Sequence, residues 1–177
     1  MRNQMPTHQL RQARSAGFTL TELIVMMLVI AIISAIALPR MGNAPVLVST
    51  QAEQLAGDMR YVQTLAMTQG QKYIISFPSA TSYRFLDVTG NPVVHPVTGS
   101  NAAITLGANV TLALQTPIAP PGNALGFDGL GVPYSVSMPA ATFNGALTQP
   151  ATIKLTKDTE TRSVTVTQET GRVTVTP

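Results

Sequence analysis

Gly17-Phe18-Thr19-Leu20-Thr21-Glu22, followed by Leu23 to Leu38 with Ser34 as its one polar residue, decides how this chain is organised. Residues 18 to 38 read as one apolar helix of about 30 Å, the thickness of a bilayer's hydrocarbon core. A carboxylate there is costly: about 2.5–3.5 kcal/mol for an acidic side chain at a helix centre, and less toward the ends. Glu22 stands about 6 Å along a helix that begins at Phe18, and the next ionisable side chain is Arg40, at the far end. Cutting the chain between Gly17 and Phe18 would create the missing partner, an α-amino group close to Glu22 at the same membrane surface. In one helix the two groups lie on neighbouring turns. Between two staggered parallel helices, the carboxylate of one would meet the amine of the other, and the anchor would become an assembly element. The simpler alternative is a plain anchor with a glutamate tolerated near the interface.

The residues flanking this segment set its orientation. Arg2, Arg11 and Arg14 lie in the first 17 residues, which hold no acid. Positive charge ahead of an apolar run places residues 1–17 in the cytoplasm and the body on the periplasmic side. The net charge of +3 comes from that leader alone: the 11 basic residues less those three leave eight, against 8 acidic. It therefore carries no sign of a nucleic-acid partner. Cysteine is absent, which excludes disulfides, thiolate nucleophiles and thiolate metal sites.

Downstream, Pro39, Gly42 and Pro45 interrupt the helical signal, so a kink or linker is expected up to residue 46. Val48, Ala52, Leu55, Met59, Val62 and Ala66 then recur at spacings of four and three, the stripe of an amphipathic helix over 48–70. Thr50-Gln51-Ala52-Glu53 reads as its capping box, Gly70 as its C-cap, and Gln51, Gln54, Asp58 and Gln69 as its polar side. From Lys72 the chain breaks into short β-rich runs between turn residues. The last three runs, with Ile153/Leu155, Val164/Val166 and Val173/Val175 alternating, read as an antiparallel meander. Residues 89–101 and 115–123 read as loops, and Gly126 to Gly131 as a turn with Phe127 in the core. The expected fold is α+β: a long N-terminal transmembrane and amphipathic helix packed on a C-terminal antiparallel β-sheet domain. The expected divisions are a leader at 1–17, a membrane helix and linker at 18–46, and a periplasmic body at 47–177, β-rich from 72.

The N-terminal segment resembles the type IV pilins and pseudopilins. Gly17 before the cut, Phe18 after it, Thr19-Leu20, Glu22 as the fifth mature residue and Ala37-Leu38-Pro39-Arg40 at the end of the apolar run carry the likeness. The resemblance implies cleavage after Gly17 by a prepilin peptidase, methylation of Phe18, an assembly role for Glu22 and a helix kink at Pro39. Implied partners are other pilin subunits through the N-terminal helix, the peptidase and an inner-membrane assembly platform. The lack of cysteine departs from the C-terminal disulfide loop of many major pilins.

In the body, Gln51 to Leu55, Arg60-Tyr61-Val62-Gln63-Thr64-Leu65-Ala66, Phe127-Asp128-Gly129-Leu130-Gly131 and Gly171-Arg172-Val173 resemble minor pilins of the type II secretion H and FimT group. The first two stretches are also similar to the minor pilin C of mannose-sensitive haemagglutinin pili. This implies a low-abundance subunit that acts at filament initiation or at the tip.

Two other readings compete. FimT-type pilins of DNA-uptake pili have a Gly-Arg-x-Arg pattern where this chain has Gly171-Arg172-Val173-Thr174, so Arg172 is a candidate nucleic-acid contact with its second arginine missing. Lys154, Lys157, Arg162 and Arg172 share that tail with Asp158, Glu160 and Glu169 and with no aromatic residue for base stacking. The other competitor is a secretory signal cut after Ala35-Ile36-Ala37, which would release a soluble domain. Glu22 weighs against it, because a discarded signal has no use for a carboxylate.

Nothing in the sequence points to catalysis, a metal or a cofactor. His8 lies in the leader. His95 sits between Val94 and Pro96 with no acid or second histidine nearby in sequence, so a solvent-exposed loop residue is expected. Gly126 to Gly131 lacks the glycine order of a dinucleotide loop. Asp158 and Glu160 read as the solvated acids of a turn.

Overall fold

The computed structural model describes residues 19–37, 44–107, 109–118 and 123–177. The leader, the cleavage pair Gly17 and Phe18, and Pro39 lie outside the described residues. The chain forms two units, Met1–Gly42 and Asn43–Pro177.

The first unit contains α1 (Leu20–Ala37). Thr19 caps it: the Glu22 N–H donates to the Thr19 carbonyl (3.0 Å) and to Thr19 Oγ1 (3.3 Å), and the Leu23 N–H reaches the same carbonyl at 3.1 Å. Thr19-Leu20-Thr21-Glu22 is thus a Thr-x-x-Glu helix opening, with Glu22 in the first turn, where the positive end of the helix dipole favours a carboxylate. Eleven large apolar side chains between Leu20 and Ile33 are each 46–78% exposed. They fall on every face of the helix, a distribution suited to apolar surroundings rather than to water. Among the described residues no helix is long and apolar enough to cross a membrane. The described part of α1 spans about 27 Å.

The second unit begins with α2 (Ala44–Gln69). Pro45 sits in its first turn, where a missing N–H costs nothing. The helix therefore starts before the expected cap at Thr50, which lies inside it, and residues 44–46, expected in the kink or linker, are helical. The expected stripe is buried: Val48, Ala52, Leu55, Met59, Val62 and Ala66 are all at 0% exposure. Gly70, at φ +63°, closes the helix, and the Gln71 N–H returns to the Ala66 carbonyl at 3.2 Å.

Two antiparallel sheets follow. The larger contains β1 (Tyr73–Ser79), β2 (Ser82–Asp87), β3 (Ile104–Thr105), β5 (Asn123–Phe127), β6 (Pro133–Ser137) and β7 (Thr142–Ala146), in the order β3-β2-β1-β5-β6-β7. The smaller contains β4 (Thr111–Leu114), β8 (Ala151–Lys157), β9 (Glu160–Val166) and β10 (Val173–Thr176), in the order β10-β9-β8-β4. The α+β architecture and the closing meander β8-β9-β10 are as expected. Two strands are not: β5 runs through Gly126 where a turn was expected, and β7 was not foreseen.

The main core joins α2 to both sheets through Leu55, Met59, Ile75, Phe127, Ile153 and Val164. A smaller cluster, Ile74, Leu86, Ala124, Val136 and Ala141, covers the opposite face of the larger sheet. Gly126 is needed there, because a Cβ would run into the Phe143 ring and Val136.

Candidate functional site

Glu22, the expected assembly residue, is exposed at the start of α1 and makes no ion pair among the described residues. Its backbone N–H bonds to Thr19, and its carboxylate makes no hydrogen bond among the described residues.

In the body, the fold brings three of the singled-out sequence stretches to one place. The Gln63 side-chain amide, on α2, donates to the Gly131 carbonyl (2.9 Å) in the β5–β6 turn and to the Thr170 carbonyl (3.0 Å) in the β9–β10 turn. Arg60 Nη2, one turn earlier, donates to the Val173 carbonyl at 3.0 Å. Gly171, at φ +63°, has no room for a Cβ, which would collide with Gln63, the Gly131 carbonyl and the Phe127 ring. Asp128 holds the β5–β6 turn: its carboxylate accepts the N–H groups of Leu130 and Val132, each at 2.9 Å, and the Tyr134 hydroxyl at 3.1 Å. One helix thus clasps the turns of both sheets, which accounts for Gln63, Gly131 and Gly171 as structural requirements.

Arg172 has no such account. It is exposed, and its guanidinium has no acidic partner among the described residues. With Arg60, Gln63, Val173, Thr174 and Val175 it lines a cleft of about 550 Å³ along α2 and β10.

A third cluster contradicts the sequence reading. His95 is buried at 4% exposure, and so is Asp58 at 8%, which was expected on the polar side of its helix. The two meet at 3.1 Å between His95 Nε2 and Asp58 Oδ1, and the Tyr83 hydroxyl donates to Asp58 Oδ2 at 2.6 Å. Sequence proximity could not show this pairing, which joins residues 37 positions apart. His95 Nδ1 accepts the N–H groups of Val97 (3.2 Å) and Thr98 (3.3 Å), which assigns the proton to Nε2, facing the carboxylate. Burial first, then the bond to Asp58 and its charge, push the Tyr83 phenol far above its ordinary value of 10.0. Phe85 stacks on the imidazole at 5.1 Å. Both ring nitrogens are thus used internally. The cluster pins the segment around His95 to α2 and β2.

Among the described residues no group of three His, Asp or Glu side chains converges as a metal site. Asp158 and Glu160 flank the tight β8–β9 turn, with Asp158 exposed at φ 54°.

Comparison with known proteins agrees with this geometry. The family described as "Type II transport protein GspH" matches residues 51–171, a span holding the first two converging stretches and ending at Gly171 of the third. The minor pilin FimU of Pseudomonas aeruginosa has a similar structure in two crystal forms. One aligns with a TM-score of 0.53 at 14% identity, covering 73% of this chain and 88% of that one. The other has a TM-score of 0.51 at 14% identity, covering 73% and 92%. The minor pseudopilin EpsH of the Vibrio cholerae type 2 secretion system aligns with a TM-score of 0.48 at 14% identity, covering 73% and 96%. No curated protein gives a significant match. Matched over most of its body and sharing its fold with a minor pilin, the chain belongs to the type II transport protein GspH family of pilin-like proteins.

Proposed function

We propose that this chain is a non-enzymatic minor subunit of a type IV pilus or a type II secretion pseudopilus, acting at filament initiation or at the tip. Family membership supports the subunit reading. The observation that carries the assembly mechanism is α1 itself: an uncovered apolar helix with a single exposed carboxylate in its first turn.

The precursor inserts with residues 1–17 in the cytoplasm and 18–38 in the inner membrane. The sequence continues the apolar run beyond α1 at Phe18 and Leu38, and the 18–38 stretch reaches about 30 Å. A prepilin peptidase cuts after Gly17 and methylates Phe18, while the β-rich body waits in the periplasm. Assembly moves the helix from lipid into a bundle of like helices, exchanging lipid contacts for side-chain packing. Glu22 then loses its interfacial water. The dipole at its own helix terminus supplies only part of the compensation, on the order of 0.3–1 kcal/mol. The α-amine of a neighbouring subunit supplies the rest.

Glu22→Ala tests this. The variant should insert and be cut normally, yet fail to enter filaments. Wild-type incorporation would overturn the assembly role. Gly17→Glu should accumulate as an uncut precursor that retains its arginine-bearing leader.

A further inference from the structure

We infer that the cleft between α2 and β10 is a carboxylate clamp, in which Arg172 and Arg60 receive an acidic, extended segment of a neighbouring subunit. The inference rests on the filament-subunit reading for the identity of the neighbour, and on the following geometry for its chemistry.

Arg60, on α2, and Arg172, just before β10, both line the cleft. Arg60 uses Nη2 on the Val173 carbonyl, and Arg172 makes no side-chain hydrogen bond among the described residues. Glu169, in the turn just before Arg172, is exposed and pairs with neither arginine. The planar fork of arginine matches a carboxylate with two parallel bonds, which makes it the natural receptor for that group.

The backbone beside the guanidiniums is also unpaired. Among the described residues β10 is an edge strand that pairs only with β9. The Thr167 N–H donates to the Arg172 carbonyl at 3.0 Å, so by alternation Thr174 and Thr176 turn their peptide groups toward β9. Val173 and Val175 therefore turn theirs outward, into the cleft. Arg60 covers the Val173 carbonyl, one of the ways natural edges are blunted. The Val175 peptide groups have no partner among the described residues and can take an added strand. Thr174 and Gln63 offer further polar contacts, and no aromatic side chain lines the cleft for base stacking. An acidic protein segment fits this set of groups better than a nucleic acid does.

The test uses the full-length chain in detergent micelles and fluorescence anisotropy at low salt. The probes are a labelled peptide of alternating threonine and glutamate, its threonine–glutamine and threonine–lysine counterparts, and a labelled single-stranded oligonucleotide. The glutamate peptide should bind, and the glutamine peptide should bind about tenfold more weakly. Arg172→Gln, at an exposed position that leaves the fold intact, should cost about tenfold for the glutamate peptide alone. Arg172→Glu should shift preference to the lysine peptide, an exchange that a general loss of structure cannot produce. Equal binding of the glutamate peptide by wild type and Arg172→Gln, or no binding at all, would overturn the clamp. So would tighter, Arg172-dependent retention of the oligonucleotide, which would make the cleft a nucleic-acid site. Peptide binding needs no filament. Its failure beside intact Glu22-dependent assembly removes the clamp alone, and the converse result removes the assembly reading alone.

Discussion

Helix α1 and helix α2 follow one another in sequence and treat their apolar side chains in opposite ways. In α2 most apolar residues fall on one stripe, with Val46 and Met67 the exposed exceptions, and Leu55, Met59 and Val62 are wholly buried against the two sheets. In α1 they fall on every side, and even Val29, among the less exposed, keeps 46% of its surface uncovered. Burying one such side chain is worth about 1.5–3 kcal/mol. The body therefore holds its stabilisation inside the chain, whereas α1 must draw its own from lipid or from other helices. Folding and assembly are assigned to different helices, and substitutions should separate them.

Leu55→Ala should give the largest effect on the body, a loss of about 2–5 kcal/mol from an emptied core position. Thermal unfolding followed by circular dichroism would read it, and membrane fractionation should not change. Ile30→Arg, mid-way along α1, should do the reverse. Insertion should be penalised by about 2.5–3.5 kcal/mol, read as precursor left in the soluble fraction, with body unfolding unaltered. If either substitution disturbed both readouts equally, the division between the helices would be wrong.

Gly171→Ala sharpens the comparison on the α2 side. The added methyl meets Gln63 and the Gly131 carbonyl from a left-handed backbone, and should cost about 2 kcal/mol. Shortening Gln63 to alanine relieves only the side-chain collision, so the double variant should recover part of the loss.

Much of this organisation was legible because it rests on local patterns. Period-four and period-three spacing is a property of the helix itself, so the α2 stripe emerged residue by residue. What escaped depended on distance in sequence or on context. Thr-x-x-Glu occurs at Thr19 and again at Thr50, and only the first opens a helix, because residues 44–49 also accept helical geometry. Asp58 stands three residues after Leu55 and four before Val62, on the flank of the buried stripe. That spacing hinted at burial, but its partners His95 and Tyr83 come from elsewhere in the chain. β5 and β7 were obscured by glycines: Gly126 is required by the Phe143 ring, and Gly145 sits beside the irregular register between β6 and β7. The three converging stretches were visible as motifs, yet their meeting through Gln63 is a tertiary fact.

The smallest expected effect concerns acid. Asp87 accepts the Thr89 hydroxyl (2.6 Å) and the N–H groups of Thr89 (2.8 Å) and Asn91 (2.9 Å). The Thr89 hydroxyl bond, chief among these, holds its carboxyl below the ordinary 3.8. A depressed folded-state value stabilises above the unfolded value and loses that contribution as pH falls through the folded one. Asp87→Asn should therefore lower the melting temperature slightly at neutral pH, and the gap to wild type should close below about pH 4. An equal gap at both ends would remove the carboxylate's role, leaving the division between α1 and α2 untouched.

The most direct measurement is the intact mass of the mature chain purified from the cell envelope. An apolar helix retained for assembly, with its amine made by proteolysis, requires a chain that begins at a methylated Phe18 and still carries residues 18–38. A chain beginning at Leu38, or one keeping Arg2, Arg11 and Arg14, would contradict the account.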